Sequence, residues 1–512
     1  MGHLLAIDAG TSGCRAVVVS DEGRPLAAAR RRWTHAADPE HPGSVDFDTR
    51  AAWALIGDCV RESLAGVRAG DVRGVSATSV RGGLVLFDAA GEELWACGST
   101  DARAADQIRW VRRREPGFEA EAYRSSGQTL AMAALPRLLW LRDRLPRVYE
   151  AASTLGRISD WIPARLDGEH APDPANACTT GLFSLAGRTW APELASRWGL
   201  RTDLLPPVVE PGTPVGKVGA AAAEATGLAA GTPVVMGGGD AQAAALGLGV
   251  VRPGQAAVVG GTHWQQLVDL DQPATDPEGW VRVTCHVLGG LWQAEAIALG
   301  AGALVRWFLD AFCAPEGADG DAFAAMAERA GRVPPGAAGV LAIGANAFDY
   351  QRWRHAAPSL LNLPVADPPA TRGLVFRALL ENAALVTRAN LATIAAAAGR
   401  PASVAFGGGG ARSPLWAQLL ADVLRTDVRV PPVAEASALG AAILAGVGVG
   451  AFDDAATTAA ALAAGGRVHE PDPAAAAAYD DCFGRWQRAY EHQLALADQG
   501  VTTPLWRAPG QA

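Results

Sequence analysis

Short apolar runs punctuated by glycine and acidic residues open the chain: Leu4 to Asp8, Arg15 to Ser20 and Pro25 to Arg32, separated by Gly10-Thr11-Ser12-Gly13 and Asp21-Glu22-Gly23. Runs of this kind bounded by Gly and Asp predict strands joined by tight turns, hence a β-meander. The same grammar returns about half a chain later. Ala256 to Val259 runs into Gly260-Gly261-Thr262-His263, and Gln265 to Val268 resumes the extended pattern. Two hairpins tipped by Gly-Thr predict two homologous α/β domains facing each other; a solenoid would repeat at a much shorter period. A boundary between Gly247 and Gly254 divides the chain into residues 1–248 and 249–512. Further strands are expected at Val72 to Thr78, Gly83 to Phe87 and Pro233 to Met236, with helices at Ala51 to Val67 and Leu135 to Leu141. In the second half, Leu379, Leu380, Ala383, Leu385, Val386 and Leu391 fall at helical spacing within Val375 to Ala398. Val404 to Phe406 then reads as a short strand, Gly407 to Gly410 as a loop, Pro414 to Leu424 as a helix and Ala455 to Ala464 as a surface helix. Strand, glycine loop, helix is the grammar of an α/β layer fold.

Composition removes several alternatives. At 512 residues with 49% apolar positions, the chain is long enough for large cores and too apolar for a disordered protein. A net charge of −9, with arginines dispersed, lacks the electrostatic footprint of a nucleic-acid binder. The seven cysteines are widely spaced and form no C-x-x-C pair, which disfavours a disulfide framework or a zinc knuckle and favours a reducing compartment. No leader-like segment precedes the first strand, and the longest uncharged run, Ala436 to Phe452, is broken by glycines and too short to span a bilayer. A cytoplasmic protein with no membrane partner is the expectation.

Three motifs carry candidate chemistry. In Asp8-Ala9-Gly10-Thr11-Ser12-Gly13-Cys14-Arg15, a turn of small residues can bring backbone N–H groups and the Thr and Ser hydroxyls against phosphate oxygens. The Asp8 carboxylate at the strand end can hold Mg²⁺ through water. The bland alternative is a plain tight turn. The second hairpin, Gly260-Gly261-Thr262, suggests a polyphosphate gripped from both sides, although Val259 stands where the first copy has Asp8. In Val234-Val235-Met236-Gly237-Gly238-Gly239-Asp240-Ala241-Gln242, Asp240 sits at a strand-to-helix junction. There it could accept a proton from a hydroxyl nucleophile and approach a metal, or serve only as a helix N-cap. Three consecutive glycines exceed what a cap requires and suggest close approach of a ligand. The third motif, Phe406 to Ser413 with Gly408-Gly409 inside it, offers a flat surface for adenosine or merely a flexible turn. Neither glycine run completes G-x-G-x-x-G, and with Lys217 as the only lysine no P-loop is possible.

The order of these parts resembles the FGGY family of carbohydrate kinases and, behind it, the actin-like (RNase H-like) ATPase fold. The family pattern matches Asp8 to Thr11, Gly238 to Asp240, Gly261-Thr262, the Gly302 to Trp307 helix start and Gly408-Gly409. The resemblance implies two domains hinged around a cleft, the first mainly binding substrate and the second mainly nucleotide. It implies ATP and Mg²⁺, with Asp240 as general base and Asp8 and Asp240 as the metal carboxylates. Gly10, Thr11, Ser12, Arg15, Gly261, Thr262, Gly302, Gly408, Gly409 and Ser413 would face ATP. Arg81, Gly82, Asp240 and Gln242 would face the substrate.

Within that family the likeness runs furthest toward the autoinducer-2 kinases, on Ser76 to Leu86, Leu94 to Cys97, Asp101 to Ala104, Ile158 to Trp161, His355 to Ser359 and the tail Gly500 to Pro509. It implies phosphorylation of the terminal hydroxyl of 4,5-dihydroxypentane-2,3-dione, and it admits a phosphocarrier-protein partner and a homodimer. One departure stands out: those kinases tend to carry Arg-Glu-Gly where this chain has Arg81-Gly82-Gly83. Losing a hydrogen-bonding carboxylate can shift selectivity. The alternatives are a xylulose or other pentulose or polyol kinase, a sugar-responsive repressor on a kinase-like fold, and an actin-like ATPase acting on a protein partner.

Overall fold

The computed structural model describes residues 2–313, 322–364 and 368–510. Two mixed sheets organise it. The first has six strands in the order Pro214–Lys217, Pro233–Gly239, Val72–Ser79, His3–Gly10, Gly13–Ser20, Pro25–Arg32. The second has seven, in the order Arg282–Cys285, Trp292–Ala298, Trp264–Leu270, Ala256–Gly260, Val404–Gly407, Val428–Val430, Arg467–His469. Each starts as an antiparallel meander whose first strand then pairs in parallel with a later one, His3–Gly10 with Val72–Ser79 and Ala256–Gly260 with Val404–Gly407. The duplication expected from the two hairpins is thus a duplication of sheet order, with Arg282–Cys285 an added edge strand. This is the actin-like α/β architecture.

The first strand explains itself by its pattern. Residues 4–9 are buried without interruption, as in a sheet covered on both faces. Leu5, Ile7 and Ala9 enter one core; Leu4 and Ala6 enter another, shared with Ala438 to Ala445. The second cover is the helix Ala436–Gly448, which comes from the far half of the chain and also crosses the helix Asp240–Gly247. The crossing is close: a Cβ on Gly440 would stand 1.9 Å from the Ala243 carbonyl oxygen. The two halves are therefore interlocked at their helices.

A smaller three-stranded sheet, Glu93–Cys97, Leu84–Phe87 and Thr154–Arg157, branches from the first lobe beside the Arg81–Gly83 loop. All seven cysteines are free thiols, six of them buried. Among the described residues no helix is long and apolar enough to cross a membrane.

Candidate active site

The centre of the site is the end of the strand Pro233–Gly239, which lies parallel to Val72–Ser79 with Gly239 opposite Ser79. The chain turns directly into the helix Asp240–Gly247, so two adjacent parallel strands project their following residues, Arg81 and Asp240, toward one point. Gly239, not Asp240, is the N-cap; Asp240 is the first helical residue, and its carboxylate accepts from the Ala241 N–H at 2.8 Å. The capping role weighed for Asp240 from sequence therefore falls to its neighbour. The glycine run also has a more protein-centred cause than expected. A Cβ on Gly237 would collide with the Ala77 carbonyl, and one on Gly238 with Val287; only Gly239 is crowded by site residues, Arg81 and Gln242.

Arg81 is almost fully buried and faces two carboxylates. Its Nη2 donates to Glu295 Oε1 at 2.7 Å and its Nη1 to the other oxygen of that carboxylate, while Nε lies 3.5 Å from Asp240 Oδ1. Burial, the largest influence on Glu295, favours its neutral form, yet Arg81 and Arg282 together hold its pKa below the ordinary carboxylate value. Asp240 goes the other way: burial raises it and Arg81 only partly offsets this. A carboxylate made more basic, with its side chain still a quarter exposed, is suited to taking a proton from an alcohol. Gln242, fully buried, donates from Nε2 to Thr284 Oγ1 at 3.0 Å and leaves Oε1 unpartnered among the described residues.

Gly82 holds φ at +101°, where an L side chain is strained, and a Cβ there would press on Ser99. The substitution noted in the sequence is therefore built into this loop's backbone. The buried carboxylate against Arg81 comes from Glu295, across the interface between the halves. Sequence reading missed Glu295, although a lone charge in the apolar strand Trp292–Ala298 was the available signal.

Asp8 lies opposite Arg15 in the first hairpin, with Arg15 Nε 3.6 Å from Asp8 Oδ2. Burial pushes Asp8 up to about 7; Arg15 opposes this, and Asp240 and Glu435 reinforce it. Three carboxylates from three segments thus share one electrostatic neighbourhood with one guanidinium, which also pairs with Glu435. A buried carboxyl that ionises with difficulty beside a second carboxyl is relieved by a divalent cation, so Asp8 and Asp240 suit Mg²⁺ in their donor chemistry. Among the described residues no group of three or more His, Cys, Asp or Glu could hold a metal. Further ligands would have to be water or phosphate oxygens.

The two hairpin tips, Thr11-Ser12 and Gly261-Thr262-His263, are exposed. Gly10 closes the first, paired with Gly13. The second tip rests on the start of the helix Ala301–Phe312: the N–H groups of Gly302 and Ala303 donate to the Thr262 carbonyl, and a Cβ on Gly302 would strike Gly261. Gly408, at φ +81°, packs onto the backbone of Gly260, and Gly409 lies beside it, so the glycine turn stacks directly on the second hairpin. This run is less of a loop than expected: Gly407 ends a strand and Gly409–Arg412 form one 3₁₀ turn. The Ser413 hydroxyl is occupied as N-cap of the helix Pro414–Leu424, accepting from the Trp416 N–H. A surface hollow of about 460 Å³ lined by Trp280, Phe348, Trp486 and Tyr490 contains none of these residues.

Comparison with known proteins fixes the class. Residues 3–247 match the N-terminal domain of the FGGY family of carbohydrate kinases, and residues 256–449 match its C-terminal domain. The chain belongs to the FGGY family and is a carbohydrate kinase, an ATP-using enzyme with a small sugar-like substrate. It is 47% identical over 519 residues to an autoinducer-2 kinase of Klebsiella pneumoniae subsp. pneumoniae, covering 100% of this chain and 98% of that protein. It is also 47% identical over 517 residues to an autoinducer-2 kinase of Escherichia coli K12, covering 99% and 98%. Among solved structures, a xylulose kinase from Rhodospirillum rubrum superposes with a TM-score of 0.83 at 26% identity, covering 98% of this chain and 100% of that one.

Proposed function

We propose that this kinase transfers the γ-phosphoryl group of ATP to the terminal hydroxyl of autoinducer-2, in its linear form 4,5-dihydroxypentane-2,3-dione. The observation that carries the reading is the convergence of Asp240 and Arg81 at the ends of two parallel strands, with Glu295 fixing the guanidinium from the other half. The substrate is supported by full-length identity to autoinducer-2 kinases. A pentulose such as xylulose is the second reading, favoured by the likeness to the xylulose kinase structure.

In this account residues 1–248 mainly hold the acceptor and residues 249–512 mainly the nucleotide. Asp240 accepts the proton of the attacking hydroxyl through a carboxylate oxygen, and Arg81, facing it at 3.5 Å, orients the acceptor and stabilises the ionised base. Gln242 offers its free amide oxygen to a substrate hydroxyl. Arg15 exchanges its contact with Glu435 for the phosphates and offsets charge that grows during transfer. The N–H groups and hydroxyls of the hairpin tips, Gly10 to Ser12 and Gly261-Thr262, hold the phosphate chain. Gly302 seats the second tip, and Gly408-Gly409, fixed in place by the Ser413 cap, form a side-chain-free face for adenosine. Asp8 and Asp240 would hold Mg²⁺, which when bound screens the phosphate oxygens and lowers both carboxyls. Rate then comes from positioning and charge stabilisation, since the reaction asks for little covalent work by the protein. By the same likeness we place the enzyme in the cytoplasm, with a phosphocarrier protein as a regulatory partner and a homodimer as its assembly; co-purification and sedimentation test these.

The decisive screen is ADP release with the linear dione beside D-xylulose, L-ribulose, erythritol and glycerol. The expected result is a kcat/KM for the dione at least tenfold above every other acceptor. A pentulose leading the panel would replace the substrate and keep the reaction class.

A further inference from the structure

Arg157 closes the strand Thr154–Arg157, directly opposite Leu84, the residue that follows the Arg81–Gly83 loop. It is 1% exposed, yet only Nη2 has an acceptor, Thr179 Oγ1 at 2.6 Å. Nε and Nη1 have no partner among the described residues. The three N–H donors of Nε and Nη1 are thus buried without an acceptor among the described residues, in a fold where buried polar groups are ordinarily satisfied. Among the described residues no carboxylate forms an ion pair with its guanidinium. Asp160 is engaged by the Arg157 N–H and the Ser159 hydroxyl, and burial pushes its carboxyl toward the neutral form. The neighbouring cation, Arg137, is already satisfied by the carbonyls of Gly82, Met132 and Ala133.

The orphaned donors belong to a larger set. Thr179 donates to the Asn176 carbonyl at 2.7 Å, and the Asn176 side chain donates to Asp173 at 2.8 Å. Asp173 in turn abuts Gly238, two residues before Asp240. Asn176 Oδ1 and Gln242 Oε1 are unpartnered among the described residues, and Arg81 Nε makes no hydrogen bond there beyond its 3.5 Å ion contact with Asp240. Leu84, the strand partner of Arg157, follows Arg81 by three residues in the chain. Unpaired donors and unpaired acceptors side by side describe a neutral ligand rich in carbonyl and hydroxyl oxygens. An anion would meet the amide oxygens and Asp173 unfavourably.

We propose that Arg157, steadied by Thr179 and flanked by Asn176, binds the oxygens at the non-reacting end of the acceptor, adjacent carbonyls or their hydrates, and so sets acceptor selectivity. This rests on the kinase reading above and names where the far end of the substrate is held.

The test compares Arg157→Gln and Arg157→Lys with the wild-type enzyme by steady-state kinetics, on whichever neutral acceptor the wild type turns over best. Failure of the dione as substrate is therefore read separately from failure of the Arg157 assignment. The expected result for Arg157→Gln is a rise in acceptor KM of thirtyfold or more relative to the KM for ATP, exceeding any fall in kcat, with partial recovery in Arg157→Lys. Acceptor and ATP KM moving together, or a lowered Tm with acceptor KM within twofold, would overturn the proposal, as would preference of the wild type for an aldonate. If Arg157→Gln does not fold, Thr179→Val, which keeps the side-chain shape and releases the guanidinium, should raise acceptor KM three- to tenfold; no change there also overturns it.

Discussion

Two ion pairs join the halves of this kinase near the reacting centre, and they have little in common beyond their chemistry. Arg81–Glu295 is bidentate, with side chains 4% and 0% exposed. Arg15–Glu435 is a single contact with side chains 41% and 37% exposed. The first sets the geometry beside Asp240, the proposed base, through a guanidinium whose only other carboxylate contact among the described residues is Asp240 itself. The second sits beside the first hairpin, where solvent screens it and, on the proposed reading, an incoming polyphosphate would replace it. Burial therefore separates a permanent fixture beside Asp240 from an exchangeable contact beside the first hairpin.

Breaking the buried pair should have the larger effect. Glu295→Gln leaves Arg81 without its charge partner, a change that typically costs about 3–5 kcal/mol. A Tm lowered by several degrees, together with a fall in kcat, is expected in thermal unfolding and ADP-release assays. A variant as stable as the wild type would show that Asp240 alone can hold Arg81.

Asp8 stands between the two cases, since Arg15 compensates it only in part. Its folded value of about 7 lies above the ordinary 3.8, so the native state keeps a proton that the unfolded chain gives up. Stability from that proton is full below about pH 4 and is lost as pH rises toward 7. Asp8→Asn cannot ionise and should therefore gain stability over the wild type between pH 5 and pH 8, by roughly 1–4 kcal/mol without Mg²⁺. Urea unfolding at the two pH values reads the difference, and a gap that shrinks with pH would contradict the assignment. The smallest effect belongs to Glu435→Gln. Its stability cost should stay below about 1 kcal/mol and fade with added salt. Freeing Arg15 should lower the KM for ATP by about two- to threefold.

The two lobes were legible in the sequence because Leu4 to Ser20 and Ala256 to Val268 repeat one hairpin pattern, a local signal that burial on both faces reinforces. Asp240 was legible because it closes an apolar strand and starts a helix. Glu295 and Arg157 were not singled out. Their importance comes from partners 214 and 22 residues away in the chain, and the apolar run around Glu295, the one local sign, marks enclosure without naming the partner. The glycines misled in a particular way: Gly237 and Gly238 are required by the Ala77 carbonyl and Val287, so close packing of the protein wrote the same letters that ligand approach would have.

The central claim is that Asp240 takes the proton of the acceptor hydroxyl, and the turnover of Asp240→Asn tests it most directly. With the fold intact by circular dichroism and ATP still bound, kcat should fall by roughly 10²–10⁴-fold. Turnover within a few-fold of the wild-type value would contradict it.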